Sequence, residues 1–259
     1  DECLPPSTWQ DVHVAVALSG GADSVALLRA AIELTHAAGG KGELFALHVN
    51  HHLRGSESDG DAAWCQRLCE SLAIPLEVLN GNVAARAEAE GDGLEAAARD
   101  VRYTLLTEAA EARGARYLFT AHTADDQVET VLFRLLRGAG LRGLSGMRRC
   151  RPLSPALSLA RPLLDCTRVE IIDYLTGINQ DFRTDSSNSS LRFARNRIRQ
   201  ELLPILRSEY AAQVDDTFLR LADQARELDE FVTTQARQLL NSSAERILPG
   251  EFVIRTTEI

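Results

Sequence analysis

A six-residue loop near the amino end has the residue types that bind phosphate. It lies between an apolar run, Val12 to Leu18, and an apolar-periodic stretch. Two glycines allow a tight turn in which successive backbone N–H groups face an anion, and the next helix adds its unpaired donors and positive dipole end. An ordinary Ser/Gly turn between a strand and a helix is the competing interpretation. The six residues are Ser19, Gly20, Gly21, Ala22, Asp23 and Ser24.

The loop does not have the pattern of a Walker A motif. That motif ends in Gly-Lys-Ser/Thr, whereas the only lysine of this chain is Lys41. Transfer of a γ-phosphoryl group by a P-loop enzyme is therefore not expected. The residues instead resemble the SGGxDS loop of the N-type ATP pyrophosphatases, which cut ATP between its α and β phosphates and transfer AMP to an oxygen.

A second segment, residues 120–130, combines a histidine with three carboxylates. If a helix begins near Ala124, Asp126 and Glu129 lie three residues apart and Asp125 and Glu129 four apart, so at least one carboxylate pair shares a helix face. Two close carboxylates repel each other, and a bound ammonium or metal ion would relieve that repulsion. The helix dipole also favours acidic residues in a first turn, which is the competing explanation.

The charge distribution points to a local anionic partner on an acidic chain. The net charge of −9 by itself disfavours nucleic acid. However, no acidic residue occurs from Thr130 to Leu164, and two arginine clusters are free of interrupting carboxylates. We interpret them as a phosphate footprint, with a solvated surface as the alternative. The clusters are Arg134, Arg137, Arg142, Arg148, Arg149, Arg151 and Arg161, then Arg192, Arg195, Arg197 and Arg199.

Strand and helix patterns alternate through the first half of the chain and predict an α/β, Rossmann-like fold. It would be a parallel sheet with helices on both faces. Ligands of such sheets bind at the carboxyl ends of the strands, so the segments that begin at Ser19, His48 and His122 should converge. The predicted strands are 12–18, 43–49, 76–80 and 116–120, and the predicted helices are 23–38, 58–72, 94–113 and 124–136.

The remainder of the chain predicts a smaller helical domain. Beyond about residue 200, apolar residues recur at three-to-four spacing, and only 252–254 suggests a strand. We therefore predict a first domain at 1–205 and a helical second domain at 206–259. The chain has 45% hydrophobic residues, no apolar run near 18 residues and no secretory signal, which favours a protein without a membrane partner. Five cysteines without a CxxC pair fit a reducing cytoplasm.

Seven ordered motifs, spanning about residues 12–206, resemble those of the tRNA(Ile)-lysidine synthetase family. The resemblance has one departure, since the family usually has two histidines after Thr-Ala and this chain has His122 followed by Thr123. The motifs are the 19–24 loop, His48 to Arg54, Glu95 to Arg99 with Arg102-Tyr103, the 120–130 segment, Arg137 to Leu144, Arg161 to Leu164, and Asp185 to Asn188 with Arg195-Asn196 and Arg199.

The resemblance implies a two-step reaction on the wobble cytidine of a tRNA(Ile) with a CAU anticodon. ATP, with Mg²⁺, adenylates the C2 carbonyl oxygen and releases pyrophosphate. The side-chain amine of L-lysine then attacks C2, and AMP leaves. The product is lysidine, which pairs with A instead of G. The resemblance leaves the oligomeric state open and is compatible with a homodimer.

The resemblance also implies roles for individual residues. The 19–24 loop would hold the pyrophosphate part of ATP, with Asp23 reaching Mg²⁺, and the backbone at His48 and Val49 would hold adenine. Asp126 and Glu129 would bind the lysine ammonium, and one of them could take its proton. The remaining assignments are His122 as a catalytic residue, Asp125 as a substrate residue, Arg102 with Arg99 as stabilisers of developing negative charge, and Arg195, Asn196 and Arg199 as contacts to the anticodon loop or the flipped cytidine.

Three rival functions stay open at this point. A tRNA thiolation enzyme of the same superfamily typically needs paired cysteines, which this chain does not offer. An ammonia-using NAD or GMP synthetase lacks the Arg-Gly-x-Gly-Leu and Asp-x-Ser-Asn stretches. A catalytically silent tRNA-binding protein is disfavoured by Asp23, Asp126 and Glu129, although Thr123 keeps it open.

Overall fold

The computed structural model describes residues 4–50, 56–81, 94–184, 194–248 and 251–254. The chain divides into two compact units. Unit 1 consists of residues 1–126 and 148–189, and unit 2 of residues 127–147 and 190–259. The domain boundary after residue 205 stays a prediction.

Unit 1 is built on a six-stranded sheet. Its strand order is β3-β2-β1-β4-β6-β5, and every neighbouring pair is parallel except β5 with β6. Parallel pairing needs crossover connections, which the helices between the strands supply. The strands are β1 Val14–Ala17, β2 Leu44–Asn50, β3 Leu76–Asn80, β4 Tyr117–Phe119, β5 Cys150–Pro152 and β6 Ser158–Ala160.

Helices cover both faces of this sheet, which confirms the predicted α/β class. Successive residues of a strand point to opposite faces. On β1, Val14 and Val16 pack in one core with the helices at 22–38, 56–71 and 168–177. Ala15 packs in another core with the helix at 94–112. The helices of unit 1 are α1 Ala22–Ala38, α2 Ser56–Ser71, α3 Leu94–Ala112, the start of α4 Ala124–Leu136, and α6 Arg168–Gly177.

The strand order reverses between β1 and β4. From β1 the chain moves outward to β2 and β3, and then returns to place β4 on the other side of β1. Connections that leave adjacent strands in opposite directions open a crevice at the carboxyl ends of those strands. The 19–24 loop follows β1 and the segment from Thr120 follows β4, so the sheet brings both to this crevice, as the sequence predicted.

Unit 2 is mostly helical. Val128 and Leu132 of α4 form a small core with Ile198 and Leu203. A terminal hairpin of β7 Ala244–Leu248 and β8 Glu251–Ile254 confirms the strand expected at 252–254. The other elements are α5 Leu141–Leu144, α7 Ala194–Arg197, α8 Leu203–Ile205 between π-helical turns at Ile198–Leu202 and Leu206–Tyr210, and α9 Val214–Ser243.

Some elements were not predicted from the sequence. β5 and β6 have three residues each, too few to show a period of two. Helix α5 lies in the arginine-rich stretch and α6 follows it, and no helix was predicted for either segment. The motif residues 51–54 and 185–188 lie outside the described residues. None of the described helices is long and apolar enough to cross a membrane.

Candidate active site

The 19–24 loop is closed by its own two serines. The hydroxyl of Ser24 accepts a hydrogen bond from the backbone N–H of Ser19 at 3.1 Å and donates to the carbonyl oxygen of Gly21 at 2.9 Å. The two serine hydroxyls are also 3.1 Å apart. Gly21 is the N-cap of α1 and has no side chain to satisfy the first N–H groups of that helix. This arrangement leaves the amino end of α1 suited to an anion.

Gly20 occupies a position that only glycine fits without strain. Its φ is +89°, and a Cβ atom there would lie 3.3 Å from the Sγ of Cys65. Its carbonyl oxygen accepts a hydrogen bond from the N–H of Arg183 at 2.9 Å. Both the backbone conformation and the close neighbours therefore require the glycine.

Asp23 lies in the first turn of α1 and forms an ion pair with Arg168, which the sequence reasoning missed. The backbone N–H of Arg168 also donates to Asp125 Oδ2 at 2.7 Å. Arg168 is the first residue of α6, after the capping residue Thr167. Arg168 thus joins the starts of α1 and α4, and no sequence motif distinguished it from other surface arginines.

Asp23 fits the proposed metal role as a single carboxylate next to phosphate. Mg²⁺ in nucleotide sites commonly takes one or two carboxylates and completes its coordination with phosphate oxygens and water. The described residues contain no group of three or more His, Cys, Asp or Glu side chains arranged as a metal site of their own. In this structure the guanidinium of Arg168 is the cation beside Asp23, and the binding of Mg²⁺ there stays a prediction.

His48 is buried at the end of β2 and holds the neighbouring strand end. Its Nδ1 donates to the carbonyl oxygen of Leu18 at 2.8 Å. Burial lowers the pKa of His48, while the hydrogen bond to Leu18 and the charge of Asp61 oppose that shift. The imidazole is therefore a structural neighbour of the 19–24 loop, and Val49 follows it half-buried on the same strand.

Thr123, the residue that departs from the family pattern, is the capping residue of α4. Its N–H and hydroxyl donate to Asp126 Oδ2 at 3.0 and 3.3 Å, and the N–H of Asp126 returns a bond to the Thr123 hydroxyl at 3.3 Å. This reciprocal pattern is a capping box with aspartate in place of glutamate. The neighbouring His122 forms a hydrogen bond with Thr120 Oγ1 through Nδ1 at 3.0 Å.

Glu129 is held by arginines within unit 2. Its side chain is 4% exposed, and Arg199 donates to Oε1 while Arg195 Nε lies 3.9 Å from Oε2. Arg195 also donates to the Thr130 hydroxyl at 2.5 Å. In this structure guanidinium groups are the cations beside Glu129, and binding of an ammonium by Asp126 and Glu129 stays a prediction. Asn196 lies between the two arginines in sequence, on α7.

Arg99 and Arg102 both stack on the ring of Tyr103. Their guanidinium carbons lie 5.1 and 5.5 Å from the ring centroid. From the sequence, a helix-surface ion pair with Glu95 or Asp100 is the competing explanation for these arginines, and the side chain of Glu95 lies outside the described residues. Both guanidinium groups thus have an aromatic neighbour on α3, and Arg99 and Arg102 are themselves exposed.

The strand order and the loop after β1 define a Rossmann-like class of α/β protein. Comparison with protein families gives the family. The model of the PP-loop domain matches residues 5–206. The chain belongs to the PP-loop family, which implies the use of ATP.

Curated relatives narrow the comparison. The chain is 39% identical over 232 residues to a tRNA(Ile)-lysidine synthase of Porphyromonas gingivalis, a match that covers 90% of the chain and 49% of that protein. It is 39% identical to that of Bacteroides thetaiotaomicron, over 94% of the chain and 53% of the relative. The enzyme of Geobacter sulfurreducens is 44% identical over 75% of the chain and 40% of the relative. The chain therefore spans about half the length of these relatives.

Among solved structures, the U34-tRNA thiolase NcsA from Methanococcus maripaludis, determined with its [4Fe-4S] cluster, has a similar fold. Its TM-score is 0.66 and its sequence identity 16%, over 85% of this chain and 73% of that one. At this identity the likeness supports the fold alone.

Proposed function

We propose that the chain ligates L-lysine to C2 of the wobble cytidine of a tRNA(Ile) with a CAU anticodon. In the first step the C2 oxygen attacks the α phosphate of ATP and pyrophosphate leaves. In the second step the side-chain amine of lysine attacks C2, and AMP leaves with the former C2 oxygen. Lysidine, AMP and pyrophosphate are the products.

The observation that carries this proposal is the meeting of two segments at the switch point of the sheet. The 19–24 loop follows β1, and the His122–Asp126 segment follows the adjacent parallel strand β4. The 19–24 loop would supply hydrogen-bond donors for phosphate, and the His122–Asp126 segment would supply carboxylates for an amine. The curated relatives, which are named tRNA(Ile)-lysidine synthases, support the same overall reaction.

The 19–24 loop would bind the pyrophosphate part of ATP. The N–H groups at the start of α1 and the hydroxyls of Ser19 and Ser24 are oriented by the loop before any ligand arrives, so little ordering is needed on binding. Asp23 would hold Mg²⁺, which supplies positive charge to the phosphates and the leaving pyrophosphate. The backbone at His48 and Val49 would contact the adenine.

The lysine amine would be bound by Asp126 and Glu129, with Asp125 nearby on the same helix. An amine with a reference pKa of about 10.4 is protonated at neutral pH and not nucleophilic. One carboxylate, or desolvation of the site, must therefore remove its proton before attack. Since guanidinium groups contact Glu129 in this structure, binding of lysine there requires the contact with Arg199 to open.

RNA would be bound by the second arginine cluster. Arg195, Asn196 and Arg199 lie on one helical segment, 194–202. Sequence-specific proteins bind single-stranded loops with splayed bases, which matches a flipped cytidine. Movement of Arg199 from Glu129 to an RNA phosphate would link RNA binding to exposure of the carboxylate. His122, at the end of β4, and Arg102 with Arg99 would face the reacting groups.

The thiolation rival finds no support in the neighbouring cysteines Cys65 and Cys69. Cys65 and Cys69 are buried, and burial raises the pKa of their thiols to about 12 and about 11 respectively. Thiolates are the nucleophiles and metal ligands of such chemistry, and these groups resist ionisation. Cys65 instead packs against Gly20 of the loop.

A staged reaction tests the proposal. Purified chain is mixed with Mg²⁺, ATP labelled in the α phosphate, and isoleucine CAU tRNA, first without lysine and then with it. We expect pyrophosphate release and label on the RNA in the first stage, and discharge of labelled AMP in the second. A rate of AMP formation that is the same with and without RNA and lysine would contradict the proposal and favour another synthetase.

A further inference from the structure

Tyr103 is surrounded by guanidinium groups from three parts of unit 1. Besides Arg99 and Arg102 of α3, Arg151 of β5 places its guanidinium carbon 5.6 Å from the centroid of the ring. Arg161, just after β6, is the fourth member and interacts electrostatically with Tyr103. We call these four arginines with Tyr103 the arginine cluster. Arg99 and Arg102 have a role in the proposed reaction, whereas Arg151 and Arg161 belong only to the phosphate footprint expected from the sequence.

Arg161 is the buried member of this cluster. It is 4% exposed, and its Nη1 donates to the carbonyl oxygen of Arg148. Its Nε has no hydrogen-bond partner, and neither has the buried hydroxyl of Tyr103. Burial lowers the pKa of Arg161, Tyr103 opposes that shift, and Arg151 and Arg99 add to it. Because the hydroxyl of Tyr103 acts on the pKa of Arg161, the two groups are neighbours in this buried position.

A bound anion would reduce the repulsion among the guanidinium groups of the arginine cluster. A buried donor without an acceptor costs free energy, and so does each guanidinium placed near another. In the part of the chain that the structure describes, no carboxylate forms a hydrogen bond or ion pair with Arg99, Arg151 or Arg161. Elsewhere in unit 1 arginines do have such partners, for example Arg149 with Asp165 and Arg183 with Asp61.

The position of the cluster relates it to the proposed reaction. Arg161 directly follows the carboxyl end of β6, which is parallel to β4. Tyr103 packs on the same apolar core as Ala17, Val49 and Leu79, which lie near the carboxyl ends of β1, β2 and β3. It belongs to the core on the α3 face of the sheet, whereas α1 packs on the opposite face. The cluster is therefore at the ligand-binding edge, on the other face of the sheet from the helix that the 19–24 loop begins.

We propose that the arginine cluster is a second phosphate site, in which Arg151, Arg161 and the Tyr103 hydroxyl donate to phosphate oxygens together with Arg99 and Arg102. This inference rests on the proposed function for its substrates. Two sources offer the same chemistry: a backbone phosphate of the RNA and a phosphate of ATP. Guanidinium groups bind phosphate oxygens through paired, charge-assisted hydrogen bonds, and a tyrosine hydroxyl adds one neutral donor.

The first test changes Arg151, which is half-buried and lies outside the helix. Arg151→Gln removes one charge and keeps most of the side-chain length. The matched control is Arg113→Gln, which also removes a guanidinium stacked on an aromatic ring, that of Phe45 at 4.1 Å. Arg113 follows α3 near the opposite, amino-terminal edge of the sheet, where it pairs with Glu43. Affinities for isoleucine CAU tRNA without ATP, and for Mg-ATP without RNA, are measured at several salt concentrations.

The two sources give different results. If the phosphate belongs to RNA, Arg151→Gln lowers RNA affinity about tenfold and makes the slope of log affinity against log salt shallower by about 0.7. If it belongs to ATP, the variant lowers Mg-ATP affinity about tenfold and leaves RNA binding unchanged. Either result supports the site. If both affinities equal those of Arg113→Gln, the arginine cluster is not a phosphate site.

Tyr103→Phe gives a second measurement that keeps the ring and its stacked guanidinium groups. We expect a several-fold loss of affinity for the same ligand, without a change in the salt slope, because no charge is lost. An affinity equal to wild type would exclude the hydroxyl from the site. Lysine transfer by the wild-type chain is assayed in parallel. Its absence, with these binding effects intact, would overturn the proposed function and leave the phosphate site standing.

Discussion

Asp126 has a structural duty in addition to its proposed chemical one. Its Oδ2 accepts two hydrogen bonds from Thr123 and so fixes the start of α4. The sequence predicts a carboxylate at this helix start. By comparison with the family pattern, Thr123 stands where a second histidine is usual. The capping box shows why threonine fits there: among side chains of its size, a hydroxyl is a good acceptor for an N-terminal N–H.

Asp126→Asn should abolish lysine transfer while leaving ATP affinity within about twofold of wild type. The amide can still accept the capping hydrogen bonds, but it has no charge for an ammonium and cannot act as a base. Transfer of labelled lysine and binding of Mg-ATP are measured on the same preparation. Loss of ATP binding in a variant with a normal melting temperature would show that Asp126 serves the nucleotide instead.

Thr123→Ala should lower the free energy of unfolding by about 1 kcal/mol, the typical cost of losing an N-cap side chain. The control is Thr123→Ser, which keeps the hydroxyl and should lose much less. Urea denaturation gives both values. Equal losses in the two variants would mean that packing of the threonine methyl group, not the cap, is responsible.

His48 should make the chain less stable below neutral pH. The pKa of this imidazole is lowered in the folded state from its ordinary value of 6.5. As the pH falls through 6.5, the unfolded chain takes up a proton that the folded chain resists, so the free energy of unfolding falls until the folded-state pKa is reached. Urea denaturation at several pH values between 7 and 5 measures this fall. His48→Asn should remove the His48 share of it, and an unchanged pH profile would contradict the assignment.

At the scale of elements, segments with a clear apolar pattern could be predicted, whereas the short strands β5 and β6 could not. The helix expected at 124–136 and the strand at 76–80 occur with the same bounds, because apolar spacing over five or more residues encodes the buried face. β5 and β6 have only three residues each. Their strand conformation depends on pairing with neighbouring strands, which no local sequence pattern shows. For the same reason the ion pair of Arg168 with Asp23, 145 residues apart, could not be foreseen.

The 19–24 loop offers a test at this scale. Gly20→Ala should lower the free energy of unfolding by about 1–2 kcal/mol, because an L-residue is strained at this positive φ, and the shift of the loop should weaken binding of Mg-ATP. The control is Gly60→Ala, inside α2, where a Cβ would meet nothing within 4 Å. There alanine should be neutral or stabilising by up to about 1 kcal/mol. Equal effects of the two substitutions would contradict the strained geometry.

For the whole molecule, the arginines of this acidic chain divide into structural and available groups. Arg134 donates to the carbonyl oxygens of Gly143 and Gly146 at 2.9 and 2.8 Å and so holds its own unit together. Arg149 pairs with Asp165. The acid-free stretch was interpreted from the sequence as one phosphate footprint, but composition cannot distinguish an arginine that binds backbone carbonyls from one that binds phosphate.

Affinity for tRNA should fall steeply with salt if the remaining arginines bind RNA. Each phosphate neutralised by an arginine contributes about 0.7–0.9 to the slope of log affinity against log salt. Filter binding of isoleucine CAU tRNA from about 50 to 200 mM salt, the range over which such proteins lose affinity, measures the slope. A flat titration would show that these arginines only solvate the surface. Arg134→Gln is the structural control, which should change stability more than the salt slope.

The most direct test of the whole account is transfer of labelled lysine. The chain is incubated with ATP, Mg²⁺ and labelled L-lysine, together with either isoleucine CAU tRNA or methionine CAU tRNA. The account predicts that the isoleucine tRNA becomes labelled and the methionine tRNA does not, although both present the same anticodon letters. No labelling of either RNA, with ATP hydrolysis retained, would contradict it.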